Sequence, residues 1–127
     1  ELLPSTAEQF TRLRELLKAL AAIGEFSLRT QDLIASFGEA LSALIFVDRM
    51  NRLGFDAVHI DARQCIVTDD RFGKASPIFD ITTTRLEEAA RPNLDAGRVV
   101  VMAGYIGSTL SGSTTTLGRG GSGYSAA

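Results

Sequence analysis

The chain has 127 residues, which is enough for one small domain or for part of a larger one. Hydrophobic residues make up 45% and charged residues 22%, a balance typical of a globular protein and not of a disordered one. The net charge of -2, with no basic run, gives no reason to expect binding to nucleic acid or to a membrane surface. No stretch approaches the roughly 18 apolar residues of a membrane span. The single cysteine cannot form an internal disulfide, which favours a reducing, cytoplasmic location.

The first predicted element is a helix. Ser5 and Glu8 have the capping-box spacing, so the helix is expected to begin near Thr6, and Gly24 is expected to end it. Its apolar residues recur at helical spacing and predict one buried stripe, formed by Phe10, Leu13, Leu17 and Leu20.

A second helix is predicted to follow, with Ser27 or Thr30 as its cap and a short first half that runs to about Ser36. Beyond Gly38 the apolar residues occur nearly all round the helix, which predicts a deeply buried second half that Gly54 closes. These apolar residues are Leu41, Leu44, Ile45, Phe46 and Val47.

After Gly54 the pattern changes to short strands. Strands are predicted at 57–60 and 65–67, and the polar segment 69–74 is predicted to be a loop. A third helix is then predicted from Thr82 to Asp95, bent or shortened by Pro92 and ended by Gly97.

Residues 98–103 form a nearly continuous apolar run, which predicts a strand in a sheet covered on both faces. The order of helices and strands favours an α/β fold, a mostly parallel sheet flanked by helices. In such folds ligands bind beyond the carboxyl ends of the strands. A site is therefore expected at the turn Gly104–Gly107, directly after this strand.

The glycine-rich segment near the end of the chain has the chemistry of an anion cradle. Gly118, Gly120 and Gly121 allow close approach of the backbone, and Ser122 can cap a helix whose free N–H groups attract an anion. Arg119 adds a planar fork suited to a carboxylate or a phosphate. The alternative is a flexible Gly/Ser loop. The spacing matches neither a P-loop nor a Rossmann fingerprint.

Glu39 is the second candidate. It stands next to Gly38 and just before the apolar helical run. A carboxylate near the start of a buried helix is stabilised by the helix dipole, which is one interpretation. The functional interpretation is a buried acid that receives an ammonium group.

Other chemically capable residues are assigned structural roles. His59 lies in a predicted strand without a second ligand residue, and Cys65 has no base beside it, so a packed histidine and an inert thiol are favoured. Asp69 and Asp70 are favoured as part of a solvated turn and not as metal ligands. No metal site is predicted.

Taken together, the motifs resemble those of aspartate kinases. Phe37–Ser42 resembles a Phe-Gly-Glu-x-x-Ser segment, and Val67–Ala75 resembles a Thr-Asn/Asp-Asp-Arg-Phe-Gly loop. Gly104–Gly107 resembles a Gly-Phe-Ile-Gly turn, and Thr114–Ser122 resembles the family's Thr-Thr-Thr-Leu-Gly-Arg-Gly-Gly-Ser. The motifs occur in the family's order, over about residues 36–127.

The resemblance implies a partial amino-acid-kinase fold and transfer of the ATP γ-phosphoryl group, with Mg²⁺, to the side-chain carboxylate of L-aspartate. It implies that Glu39 and Arg119 contact the substrate and that Tyr105 and Ser122 line its site. It also implies a homodimer. The sequence alone then predicts that residues 1–127 are an internal piece of one kinase domain, truncated at both ends.

Two departures from the family pattern bear on activity. The family usually has aspartate after Gly-Gly-Ser, where this chain has Gly123, and it usually has phenylalanine where this chain has Tyr105. The family's Lys-Phe-Gly-Gly segment, most of its ATP contacts and its ACT domains have no counterpart in this sequence. The chain alone is therefore expected to be inactive. The alternative is a non-catalytic binding or dimerisation module of the same fold, and another amino-acid kinase is disfavoured by the motifs.

Overall fold

The computed structural model describes residues 4–118, 120, 121, 123 and 126. In chain order the described elements are α1 (Pro4–Ile23), α2 (Leu28–Arg52), β1 (Ala57–Ile60), α3 (Ala62–Cys65), β2 (Val67–Thr68), α4 (Phe79–Asp95), β3 (Val99–Met102), β4 (Ile106–Thr109) and β5 (Thr114–Thr116).

The predicted α/β fold is confirmed. Strand β1 pairs with β3 in parallel, β2 pairs with β4 in parallel, and β4 pairs with β5 antiparallel. Helix α2 packs against β1, β3 and β5, and helix α4 contacts β1, β2 and β3. The buried core lies where α2, α3 and the strands meet, and it contains Ala43, Ala62, Ile66, Ala103, Ile106 and Leu117.

Glycines end the helices where the sequence predicts. Gly24 and Gly54 follow α1 and α2, and Gly97 follows α4, each with a positive φ. Ser27 is the N-cap of α2, since its hydroxyl accepts the N–H of Thr30 at 3.2 Å. The side chain of Ser5, predicted to cap α1, lies outside the described residues.

The predicted strand at 65–67 is wrong in its position. Asp61 caps a short helix through the N–H of Arg63, so Cys65 ends α3 and the strand begins only at Val67. An acid followed by helix-compatible residues favours a capped turn here over continued extension. Thr68, which the sequence reading left outside the strand, lies in β2 and is buried.

The buried stripe predicted on α1 is also wrong. Phe10 is 44% exposed and Leu17 is 47% exposed, while Leu13 and Leu20 are half-buried. In the described part of the chain, α1 packs mainly against α2. Helical periodicity predicts which face is apolar, but it does not say whether a second element lies over that face.

The second half of α2 is less buried than predicted. The helix is continuous through Gly38, and its buried side chains include Ala40 and Ala43, on the face that meets the strands. Ile45 and Phe46 are each 55% exposed. A run that is apolar all round the helix needs cover on every side, and the described strands cover one side only.

The last third of the chain differs from the prediction in three details. Helix α4 begins at Phe79, before the predicted Thr82, and it ends at Asp95 as predicted, so Pro92 does not shorten it. Strand β3 is contacted by α2 and α4, but Val99 is still 36% exposed, so the cover predicted on both faces is incomplete. The Gly/Ser/Thr-rich remainder contains the hairpin of β4 and β5, which the sequence reading did not predict.

Candidate functional site

An open cleft of about 470 Å³ lies between α2 and the carboxyl end of β3. Glu39 is its acidic residue, and Gly104 lies at its other side. This is the edge of the sheet where ligands bind in α/β folds. The volume falls within the range of small-molecule sites. The cleft is lined by Glu39, Ser42, Ala43, Phe46, Val101, Met102, Ala103 and Gly104.

Glu39 reaches the cleft because of its position on the helix. Residues 39, 42, 43 and 46 recur at the spacing of one helix face, and all of them line the cleft. Glu39 is half-buried. No described side chain makes an ion pair with it, so its carboxylate is available to a cationic ligand group such as an ammonium.

The turn after β3 has an unusual backbone. Tyr105 has a φ of 70°, which is rare and costly for a residue with a bulky side chain. Its carbonyl accepts the N–H of Leu117 at 2.8 Å, and its ring packs against the buried core. The hydrogen bond joins this turn to the segment that leads into the glycine-rich turn.

The glycine-rich turn, residues 118–123, is built by its own hydrogen bonds. The N–H of Gly121 donates to the carbonyl of Gly118 at 2.8 Å, and the N–H of Gly123 donates to the carbonyl of Gly120 at 3.0 Å. Gly120 has a φ of 81°, and a Cβ at Gly121 would lie 2.3 Å from the Cβ of Leu117. Gly120 and Gly121 are therefore required by the fold. The N–H groups of Gly121 and Gly123 already have hydrogen-bond partners within the turn.

Arg119 and Ser122, predicted to bind substrate, lie outside the described residues. Gly118 is described, and it lies beside Lys74, since a Cβ at Gly118 would be 3.6 Å from the Cβ of Lys74. Gly123 is helical, exposed and open, with nothing within 4 Å of the position of an added Cβ. The structure thus places Glu39 and Gly104 in one cleft and joins the Tyr105 turn to the glycine-rich turn.

Asp32 is a buried carboxylate that the sequence reading missed. It is 2% exposed, and it accepts the N–H and the hydroxyl of Thr116 at 2.9 and 2.6 Å. The N–H of Gly73 donates to both of its oxygens, at 2.9 and 3.1 Å. One feature of the sequence could have predicted its burial. Asp32 is followed at helical spacing by the small residues Ser36, Ala40 and Ala43, and these are buried on the same face of α2.

The loop at 69–74 is a hydrogen-bonded turn. The carboxylate of Asp69 accepts the N–H groups of Arg71 and Ser76 and pairs with the guanidinium of Arg71 at 2.8 Å. Burial tends to raise the pKa of Asp69, but the hydrogen bonds from Ser76 and Arg71 outweigh it and lower the pKa. These bonds support the interpretation of this acid as a turn residue.

A second polar cluster follows β1. Arg63 binds the carboxylate of Asp61 through two nitrogens, at 2.9 and 2.6 Å. Burial tends to raise the pKa of Asp61, but the hydrogen bonds and charge of Arg63 lower it below its usual range. Burial lowers the pKa of His59, and the charge of Asp61 offsets part of that effect. Helix α3 is joined to β4 by a separate bond, in which the backbone carbonyl of Arg63 accepts the hydroxyl of Ser108 at 2.6 Å.

A groove of about 560 Å³ lies on α1, but it is lined by α1 residues alone and contains no acid, so it does not match a site for an amino acid.

Across the described residues, no three His, Cys, Asp or Glu side chains converge to hold a metal ion. No helix in the described part of the chain is both long and apolar enough to cross a membrane.

The comparisons with known proteins agree with each other. A model of the Amino acid kinase family matches residues 5–127. Lysine-sensitive aspartokinase 3 of Escherichia coli (strain K12) is 38% identical over 123 residues, covering 94% of this chain and 27% of that protein. An aspartokinase of Geobacillus stearothermophilus is 35% identical over 96 residues, covering 76% of this chain and 23% of that protein.

A solved structure gives the same result. The crystal structure of E. coli aspartokinase III in complex with aspartate and ADP matches with a TM-score of 0.81 and 37% identity, over 93% of this chain and 27% of that one. The chain spans about a quarter of the length of the curated relatives it matches. With its motifs, its α/β fold and a family match over nearly its whole length, this chain belongs to the amino acid kinase family, and the relatives it resembles are aspartokinases.

Proposed function

We propose that the full-length protein containing this chain transfers the γ-phosphoryl group of ATP to the β-carboxylate of L-aspartate, giving 4-phospho-L-aspartate. This reaction begins lysine, threonine and methionine biosynthesis, and in this proposal residues 1–127 supply part of the aspartate site within one kinase domain. The observation that carries the proposal is the position of Glu39, in the cleft at the carboxyl end of β3, in a chain that is similar to aspartokinases.

The chemistry of the site fits an amino dicarboxylate. The carboxylate of Glu39 suits the substrate ammonium group, while Arg119 suits a substrate carboxylate. Tyr105 and Ser122 complete the site in this proposal, with the backbone of Gly118, Gly120 and Gly121 near the anionic groups. One of the solved relatives is described as a complex with aspartate and ADP, which supports both ligands.

ATP, with Mg²⁺ at its phosphates, supplies the transferred group. Phosphoryl transfer depends mainly on positioning and on neutralising charge. In this proposal the chain contributes residues that orient aspartate, while its sequence has no counterpart of the family's Lys-Phe-Gly-Gly segment or of most of its ATP contacts. We therefore propose that the isolated chain has no kinase activity. Formation of the acyl phosphate by the 127-residue chain above a no-protein control would contradict this.

The test uses the full-length protein and traps the acyl phosphate with hydroxylamine. L-aspartate should give ATP-dependent hydroxamate, whereas L-asparagine, which lacks the accepting carboxylate, should give none. Glu39→Gln should raise the KM for L-aspartate between about tenfold and a hundredfold, because a charge-assisted hydrogen bond to the ammonium is lost. The KM for ATP should change less.

A matched control lies on the same helix. Asp48 is nine residues after Glu39, about two and a half turns, so it points to the opposite side of α2, and it pairs with Arg52 near the surface. Asp48→Asn should leave both KM values within about twofold, since surface ion pairs contribute little. An unchanged KM in Glu39→Gln would remove Glu39 from the site, and no hydroxamate from the wild-type protein would refute the proposed reaction.

A second candidate function is a non-catalytic binding or dimerisation module of the same fold. Gly123 favours it, because the resemblance places an aspartate at that position. Binding of L-aspartate by calorimetry without any hydroxamate formation would support this candidate against the enzyme.

We also propose a homodimer and a cytoplasmic location for the full-length protein. Large apolar side chains, including Phe10, Leu17 and Phe46, are about half exposed on the described surface, which is typical of surfaces covered by another partner or domain. The only cysteine in the sequence, Cys65, is buried and free. Sedimentation that gives only monomer would contradict the dimer.

A further inference from the structure

We propose that Asp32 is a positioning residue that holds α2, and with it Glu39, in register with the glycine-rich turn. The inference rests on the proposed function, because it assigns Asp32 a role in the same aspartate site. Asp32 itself lies away from the cleft and does not line it.

Burial of the Asp32 carboxylate has a high free-energy cost. Asp32 is 2% exposed, and no Lys, Arg or His of the described residues pairs with it. A carboxylate removed from water is strongly unfavourable unless hydrogen bonds replace the lost water. Here those bonds come from Gly73 and Thr116, residues that are 41 and 84 positions away along the chain. Asp32 therefore joins three segments that are distant in the sequence: α2, the loop at Gly73 and the end of β5.

The end of β5 that Asp32 holds leads into the glycine-rich turn. Thr116 lies two residues before Gly118, and its carbonyl accepts the N–H of Ala75 at 3.0 Å. The next residue, Leu117, is fully buried and donates its N–H to the carbonyl of Tyr105. The strand end that enters the glycine-rich turn is thus held by α2, by the 69–76 loop and by the Tyr105 turn.

Asp32 and Glu39 both lie on α2. Glu39 is seven residues after Asp32, so the two lie nearly on one face and about 10 Å apart along the axis. The backbone hydrogen bonds of a helix keep it rigid over two turns, so the distance between residues 32 and 39 is fixed. The contact of Asp32 with Thr116 therefore sets the distance from Glu39 to the glycine-rich turn.

A purely structural role for Asp32 predicts something different. It predicts lower stability with unchanged substrate affinity in the molecules that remain folded. A positioning role predicts weaker use of L-aspartate in folded protein, because displacement of a binding group by about 1 Å can lower a rate as much as a hundredfold. The two roles are separated by KM and not by stability.

The experiment compares three substitutions in the full-length protein. Asp32→Asn keeps the side-chain size but presents an N–H₂ group to donors, and we expect the KM for L-aspartate to rise between about tenfold and a hundredfold. Thr116→Val removes only one donor, and we expect a rise of the same kind but smaller. In the double variant the KM for L-aspartate should rise by less than the product of the two single increases, because both substitutions break the same contact.

Thr82→Val is the matched control. Thr82 is 5% exposed, and its hydroxyl donates to the carbonyl of Val67 and accepts the N–H of the same residue, so it also loses buried polar bonds. It joins α4 to β2, away from the cleft. It should lower stability while leaving the KM for L-aspartate within about twofold.

Each outcome decides the inference. A folded Asp32→Asn protein with an unchanged KM overturns it, and if that variant does not fold, the KM of Thr116→Val decides in the same way. If the wild-type protein forms no acyl phosphate, the proposed function fails first. The inference is then decided by amide hydrogen exchange at residues 117–123, which must speed up in Asp32→Asn and not in Thr82→Val.

Discussion

Replacing Gly121 by alanine should destabilise the protein even when no ligand is present. The added Cβ would lie 2.3 Å from the Cβ of Leu117 and 2.8 Å from the carbonyl oxygen of Gly118. Carbon atoms in contact are separated by about 3.5–4.0 Å, so more than 1 Å must be absorbed. Leu117 is fully buried in the core and cannot swing outward.

The magnitude follows from this geometry. Inserting one carbon into a packed region costs about 1–3 kcal/mol. The cost should fall on the turn hydrogen bond between Gly121 and Gly118 and on the core around Leu117. Gly123→Ala is the control two residues away, since nothing lies within 4 Å of its added Cβ. Because position 123 is helical, alanine there should be neutral or stabilising by up to about 1 kcal/mol.

The assay is urea unfolding of the full-length protein, with and without L-aspartate. If Gly121 is present only to let a ligand approach, Gly121→Ala should unfold like the wild type without ligand and lose only the stabilisation by L-aspartate. The structure predicts a lower unfolding free energy in both conditions. Equal unfolding midpoints for Gly121→Ala, Gly123→Ala and the wild type without ligand would refute the steric reasoning.

Three further predictions concern isolated residues. Gly123→Asp should not destabilise the protein, since nothing lies within 4 Å of an added Cβ, and it should raise the rate of acyl phosphate formation; a protein inactive in both forms would argue against the kinase. Asp61→Asn should flatten the pH dependence of the unfolding free energy in acid. The lowered pKa of Asp61 gives stability that is present above its ordinary value of 3.8 and lost as the pH falls through the lower folded value. Native Cys65, 1% exposed and with a pKa raised by burial, should react with iodoacetamide far more slowly than the unfolded chain, and rapid native labelling seen by mass spectrometry would contradict this.

The sequence predicted the C-terminal ends of the three long helices and the positions of two strands. Gly24, Gly54 and Gly97 end their helices with positive φ, a local property that the residue type reveals. The apolar runs at 57–60 and 98–103 correspond to the parallel pair of β1 and β3. Such features depend on neighbouring residues, so a single sequence contains the information.

Burial was predicted poorly because it depends on what lies opposite. Phe10 and Leu17 have the spacing of a core face and are still about half exposed. The hairpin of β4 and β5 was missed because its residues are mostly Ser, Thr and Gly, which are typical of loops. Its strands are held by distant partners, such as the 2.8 Å hydrogen bond between the hydroxyls of Thr68 and Thr115.

The residues of the candidate site also differ in how far the sequence could predict them. Glu39 was found because an acid beside a glycine at the head of an apolar run is conspicuous in the sequence. Asp32 was missed because its partners, Gly73 and Thr116, become neighbours only in the folded chain. The backbone of Tyr105 was missed as well, since a positive φ at a tyrosine has no local sequence signal.

The fold does not require glycine at position 123, in contrast to two other glycines of the same turn. Gly120 and Gly121 are needed by the turn, one for its φ and the other for lack of space. Gly123 meets neither requirement, because its added Cβ would point into open space. Folding therefore does not require glycine at a position where the resemblance places a carboxylate. Gly123→Asp is for that reason a test of the site's chemistry that steric strain in the fold should not confound.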